Sequence, residues 1–131
     1  MRLLIDTDVL LDVAFGRVEH LKDAVGVLEW ASDNPGRCAV AWHSLANLLY
    51  LTKSGAEEFI GDLLDFVEIP PTGTDAMRLA LSLEFSDLED AMQVSAALHF
   101  EAQVLVTRNV KHYRKSQIKV MTPSEIIPLL S

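Results

Sequence analysis

The chain has 131 residues, half of them apolar and 23% charged, with a formal net charge of −8. That composition supports a folded core and excludes global disorder, while the acidic balance argues against broad, nonspecific binding to nucleic acid. The lone cysteine, Cys38, excludes an internal disulfide and a cysteine-built metal site.

In chain order, strands alternate with helices. Leu3 to Ile5 reads as a buried strand, which delivers Asp6 and Asp8 at its carboxyl end. In open α/β folds that is where ligand crevices form. The competing reading is that Asp6 or Asp8 caps the helix from Val9 to Phe15, which Gly16 ends. Leu21, Ala24, Val25, Leu28 and Ala31 recur at helical spacing between Val18 and Ala31. Asn34-Pro35-Gly36 is a turn. Cys38 to Trp42 reads as a second strand with Cys38 a small core residue, and Leu45 to Leu51 as a helix closing at Gly55.

A further helix is expected from Ala56 to Leu64 and a third strand from Phe66 to Ile69, stopped by Pro70-Pro71. Thr74 opens another helix. Ser86-Asp87-Leu88-Glu89 reads as a capping box for a helix reaching about Ala102, with a fourth strand at Val104–Val106 and a fifth at Ile118–Met121. Thr122-Pro123-Ser124-Glu125 is a second capping box with proline at the first helical position. The expected fold is a three-layer α/β/α sandwich over residues 1–131, one domain with a four- to five-stranded parallel sheet covered on both sides.

Several side chains stand out as chemistry. Asp87, Glu89 and Asp90 fall in one first helical turn; the helix dipole accounts for Asp87 and the capping box for Glu89. Asp90 lies deeper, beside the apolar face of Ala91 and Val94. Asn109 ends the fourth strand and is either a site residue or a turn residue. Arg108, Lys111, Arg114, Lys115 and Lys119 form a run without an acid, either a solvated loop or a rim for a phosphate backbone. His20, His43, His99 and His112 have no metal-motif spacing. His43 suits a cap or a site rim, and His99 suits packing. Trp30 and Trp42 suit core or interface, and Tyr113 is the candidate for stacking on a base.

Four stretches together resemble the PIN-domain ribonucleases that act as toxins in bacterial toxin–antitoxin pairs: LLIDTDVLLD, AWHSLANLLYL, SDLEDAMQVSAAL and VLVTRNVKHYRKSQIKVMTPSEII. The resemblance implies acids at the carboxyl ends of the strands that hold Mg²⁺ or Mn²⁺ and hydrolyse single-stranded RNA. Hard cations prefer carboxylate oxygens. Asp6 matches the family's first acid, Asp90 its helical acid and Asn109 the position after the fourth strand; Asp8 and Asp87 are close enough to assist as metal ligands. Asn47 stands where the family usually carries glutamate, and His112 where it often carries aspartate. Arg108, Lys111, His112, Arg114 and Lys115 are the expected RNA contacts.

The resemblance further implies a homodimer and an antitoxin protein entering the acidic groove, and the single-cysteine usage fits a reducing cytoplasm. No stretch is long and apolar enough for a membrane span, and Asp6 and Asp8 interrupt the N-terminal apolar run, so no secretory signal is expected. Two alternatives stand beside the nuclease. With Asn47 for an acid, the fold can bind RNA or a partner with little hydrolysis. Asp6 and Asp8 also resemble the opening motif of haloacid-dehalogenase phosphatases, although no lysine follows a strand at the place that family requires.

Overall fold

The computed structural model describes residues 1–131. Strand β1 (Leu3–Ile5) leads into α1 (Thr7–Ala14) and α2 (Val18–Asp33), then β2 (Cys38–Val40), α3 (Trp42–Leu51) and α4 (Ala56–Leu63). The chain continues through β3 (Val67–Glu68), α5 (Thr74–Ser82), α6 (Leu88–Phe100), β4 (Val104–Val106), β5 (Lys119–Met121) and α7 (Pro123–Ile126). Short 3₁₀ turns cover Val110–Tyr113 and Ile127–Leu129.

All four strand pairings are parallel, and the sheet order is β3-β2-β1-β4-β5. The expected three-layer architecture is the observed one. Side chains alternate across each strand. Leu3, Ile5, Cys38, Val40, Val104 and Val106 therefore join a core with residues of α1, α2, α3, α4 and α7. Leu4, Ala39 and Leu105 pack on the opposite face with Val94, Ala97 and Phe100 of α6, and α5 packs against α6.

From β1 the winding goes outward through β2 and β3 on one side and through β4 and β5 on the other. The reversal lies between β1 and β4. Parallel sheets of this kind open a crevice outside the carboxyl ends of the strands at such a point, which locates the site.

Two local expectations change. Trp42 begins α3 instead of ending β2, and it is 61% exposed; the apolar run CAVAW misleads because its last residue belongs to the helix. Asp87, not Ser86, caps α6, accepting from the backbone N–H groups of Glu89 and Asp90 at 2.8 and 3.4 Å. A carboxylate is the stronger acceptor beside a positive helix end, so the cap moves one residue on and frees Glu89 from a capping box. The second capping box, at Thr122 and Glu125, forms as expected.

Candidate active site

Three segments meet at the reversal point. Past β1 come Asp6, Thr7 and Asp8; past β4 come Thr107, Arg108 and Asn109; the first turns of α6 bring Glu89, Asp90 and Gln93. α3 adds His43, Asn47 and Leu51, four residues apart and so on one helical face. Apart from Thr107 and Arg108, which stand behind the wall, these residues line a cleft of about 240 Å³ that contains Asp6, Asp8, Asp90, Asn47 and Asn109.

Asp6 is both cap and site residue. Its Oδ1 accepts from the Thr7 N–H at 2.7 Å, while Oδ2 accepts from the Thr107 hydroxyl at 2.8 Å and the Tyr113 hydroxyl at 2.9 Å. Asp8 is held on one side only. Its Oδ2 accepts from the Arg108 N–H at 3.0 Å and the Asn109 amide at 3.2 Å, and shares the single Thr107 hydroxyl proton, at 3.2 Å, with Asp6. Its Oδ1 is enclosed and has no donor. Beneath the cleft, Gln93 donates to the hydroxyls of Ser44 at 2.7 Å and Thr7 at 3.1 Å, and Thr7 donates to Ser44 at 2.7 Å.

The carboxylates sit in a poor place for negative charge. Burial pushes the Asp8 carboxyl up to about 6, with the Asp6 charge adding to the effect. Burial also raises Asp6, against the hydrogen bonds from Thr107 and Tyr113. Asp90 is raised by burial and then by the Asp87 charge, while His112, 3.7 Å away through Nδ1, pulls the other way. Burial raises Tyr113 as well, followed by the charges of Asp6 and Asp90, so its hydroxyl remains a donor. Burial lowers His43, which favours the neutral imidazole.

Not every sequence candidate enters the cleft. Asp87 spends its carboxylate on the α6 cap and is absent from the lining. Arg108 turns its guanidinium to the fully buried Asp12, Nε to Oδ2 at 2.6 Å and Nη2 to Oδ1 at 3.1 Å. Lys111, His112, Arg114 and Lys115 are exposed beyond β4. Tyr113 is 3% exposed and cannot stack on a base; a phenol beside a buried carboxylate gains more as its hydrogen-bond donor.

Glu89, which the sequence assigned to a capping box, lines the cleft instead, and Gln93, Thr107 and Asp12 were not singled out by sequence reasoning. Two carried a usable signal: Asp12 is four residues from Asp8 and Gln93 three from Asp90, each pair on one helical face.

A divalent cation is the group such a site invites. The donor chemistry fits: carboxylate and amide oxygens are hard ligands, and the unpartnered Asp8 Oδ1 lacks the positive neighbour a cation provides. No three His, Cys, Asp or Glu side chains are grouped closely enough to form a closed cage. Magnesium does not require one, since it is commonly held by one or two carboxylates, waters and substrate phosphates.

Comparisons with known proteins agree with the architecture. The chain shares 25% identity and a TM-score of 0.70 with a protein of a toxin–antitoxin complex from Klebsiella pneumoniae, over 92% of this chain and 97% of that one. Fold similarity extends to VapBC2 from Rickettsia felis bound to a promoter DNA fragment, at 20% identity and TM-score 0.66 over 93% and 98%. It extends also to VapBC-1 from nontypeable Haemophilus influenzae, at 15% and 0.64 over 95% and 99%. No curated protein sequence matches. The PIN-domain family model matches residues 2–111, which sets aside the phosphatase alternative. With that match over most of its length, and acids gathered where its parallel sheet reverses, the chain belongs to the PIN-domain family.

Proposed function

We propose that this single domain, residues 1–131, is a metal-dependent endoribonuclease that cuts phosphodiester bonds of single-stranded RNA, as the toxin of a toxin–antitoxin pair. The observation that carries the reading is the convergence of Asp6, Asp8, Asp90, Asn109 and Asn47 on one cleft at the ends of β1 and β4.

One or two of the carboxylates of Asp6, Asp8 and Asp90 would hold Mg²⁺ or Mn²⁺ directly, with the others and the amides of Asn109 and Asn47 acting through bound waters. When bound, the cation supplies a Lewis acid that neutralises phosphoryl charge and activates water. The protein's part is placement. Thr107 and Tyr113 orient Asp6, and the 107–109 segment holds Asp8 by one oxygen and leaves the other without a donor. Lys111, His112, Arg114 and Lys115 would carry the flanking phosphates past the acidic cleft, which a polyanion otherwise avoids. His112 stands within reach of Asp90 and softens that repulsion.

The likeness to a toxin–antitoxin complex protein supports an antitoxin partner. Trp42, Leu49, Tyr50 and Leu51 of α3 are exposed and offer apolar surface for it or for a homodimer partner. The cytoplasm is the expected setting, consistent with the free, buried Cys38; no helix is long and apolar enough to cross a membrane.

One observation favours a second reading. The missing closed ligand group, together with an amide at Asn47, suits a PIN fold that binds RNA or a partner with little hydrolysis. The test is cleavage of a mixed single-stranded RNA pool with Mg²⁺, Mn²⁺ or EDTA, using wild type, Asp6→Asn and Asp90→Asn. Metal-dependent cutting lost in both variants supports the nuclease. No cutting by folded wild type with either metal supports the binding module.

A further inference from the structure

Arg108 is gripped twice by one helix. Its backbone N–H donates to Asp8 at 3.0 Å and its guanidinium forks onto Asp12 at 2.6 and 3.1 Å. Asp8 and Asp12 are one turn apart on α1, so they share a face. Arg17 adds a third contact to Asp12, Nη1 to Oδ1 at 3.3 Å. Asp12 is 0% exposed.

An ion pair on a fully buried carboxylate, with the arginine side chain 26% exposed, is a poor device for stability, because desolvation offsets much of the attraction and apolar replacements often do as well. Its geometric result is more specific. The residue whose side chain Asp12 anchors lies between Thr107 and Asn109; Arg108 and Asn109 donate to the same Asp8 oxygen, and Thr107 shares its hydroxyl proton between that oxygen and Asp6. Asp8 is thereby turned with one oxygen saturated and the other without a donor.

We propose that Asp12 and Arg108 are positioning residues: their ion pair clamps the Thr107–Asn109 segment to α1 and so orients Asp8 for a divalent cation. The inference rests on the metal-dependent reading of the cleft. It also moves Arg108 out of the RNA-contacting set, because a guanidinium forked onto Asp12 is not free to take a phosphate.

The variant that tests this is Asp12→Leu/Arg108→Met, which removes both charges together and leaves neither buried alone. Mg²⁺ affinity is measured without RNA, by calorimetry and by the Mg²⁺-dependent rise in Tm. Orienting partners of metal ligands typically contribute about 10–100-fold in affinity. The double variant should fold with a Tm near wild type in EDTA and bind Mg²⁺ at least about tenfold more weakly. Arg108→Lys, which keeps the charge and loses the fork, should fall between. RNA binding in EDTA should keep its salt dependence in Arg108→Lys and in the double variant.

A double variant that folds and binds Mg²⁺ as wild type does overturns the clamp and leaves the nuclease standing. So does one whose only defect is a reduced salt slope for RNA, which would make Arg108 a phosphate contact. A double variant that fails to fold also overturns it, because the pair would then be required by the fold itself. Wild type without any Mg²⁺ response overturns both readings, since the clamp has nothing to orient.

Discussion

Asp8→Asn should make the metal-free protein more stable. Burial and the neighbouring Asp6 charge lift the Asp8 carboxyl from 3.8 to about 6. One pKa unit corresponds to about 1.4 kcal/mol, so keeping this group ionised at pH 7.5 costs the fold about 3 kcal/mol. The sign follows from proton counting. Between about pH 4 and 6 the folded chain holds a proton that the unfolded chain has released, so wild-type stability rises as pH falls through that window.

An asparagine removes the charge and keeps an oxygen for the Thr107, Arg108 and Asn109 donors. Its nitrogen would replace the unpartnered Oδ1, and that desolvated N–H returns about 1–3 kcal/mol of the gain. The net is a stabilisation of up to about 2 kcal/mol, a Tm increase of up to about 7 °C for a domain of this size. Thermal unfolding followed by circular dichroism in EDTA at pH 7.5 measures it. The gap should close by about pH 4, where wild-type Asp8 is also neutral, and Mg²⁺ should raise wild type more than the variant. A variant less stable than wild type in EDTA at pH 7.5, or a gap independent of pH, refutes the reasoning.

Tyr113→Phe removes a buried donor from Asp6 and should destabilise the domain by about 1–3 kcal/mol at neutral pH; urea unfolding with a loss under about 0.5 kcal/mol would show that the hydroxyl does not support the carboxylate. Asn47→Glu adds a fifth carboxylate to Asp6, Asp8, Glu89 and Asp90 in the cleft and should raise Mg²⁺ affinity by about tenfold, since ligand charge tunes hard-cation sites. It should also lower Tm in EDTA through like-charge repulsion; calorimetry showing unchanged affinity would place Asn47 outside the metal's reach. Lys111→Ala, Arg114→Ala and Lys115→Ala should each weaken RNA binding in EDTA. The slope of log affinity against log salt should fall by about 0.7 for each lost phosphate contact. An unchanged slope in all three would remove the basic rim from the reading.

Much of the fold was legible in the chain because its signals are local. Short apolar runs bounded by turns mark β1, β4 and β5, helical spacing marks α2 and α6, and Thr122 with Glu125 marks the start of α7. Asp6 and Asp90 could be singled out because each lies at an element end where chain direction and apolar pattern already constrain it. Where two local signals compete for one residue, sequence alone chooses poorly. Asp87 displaced Ser86 as cap, and Trp42 joined the helix instead of the strand.

Side-chain roles set by distant partners were not legible. Tyr113 reads as an exposed stacking residue until folding places its hydroxyl on Asp6, 107 residues away. Arg108 reads as one cation in a basic run until Asp12, 96 residues away, takes its guanidinium. Hydrogen bonds and ion pairs act over a few ångströms, and only the parallel pairing of β1 with β4 brings those groups within that range. The sequence by itself determined the strand–helix alternation and the acids at the strand ends, because both follow from local pattern. The tertiary structure alone decided which charges are buried and paired, and which carboxylate oxygen is left without a donor.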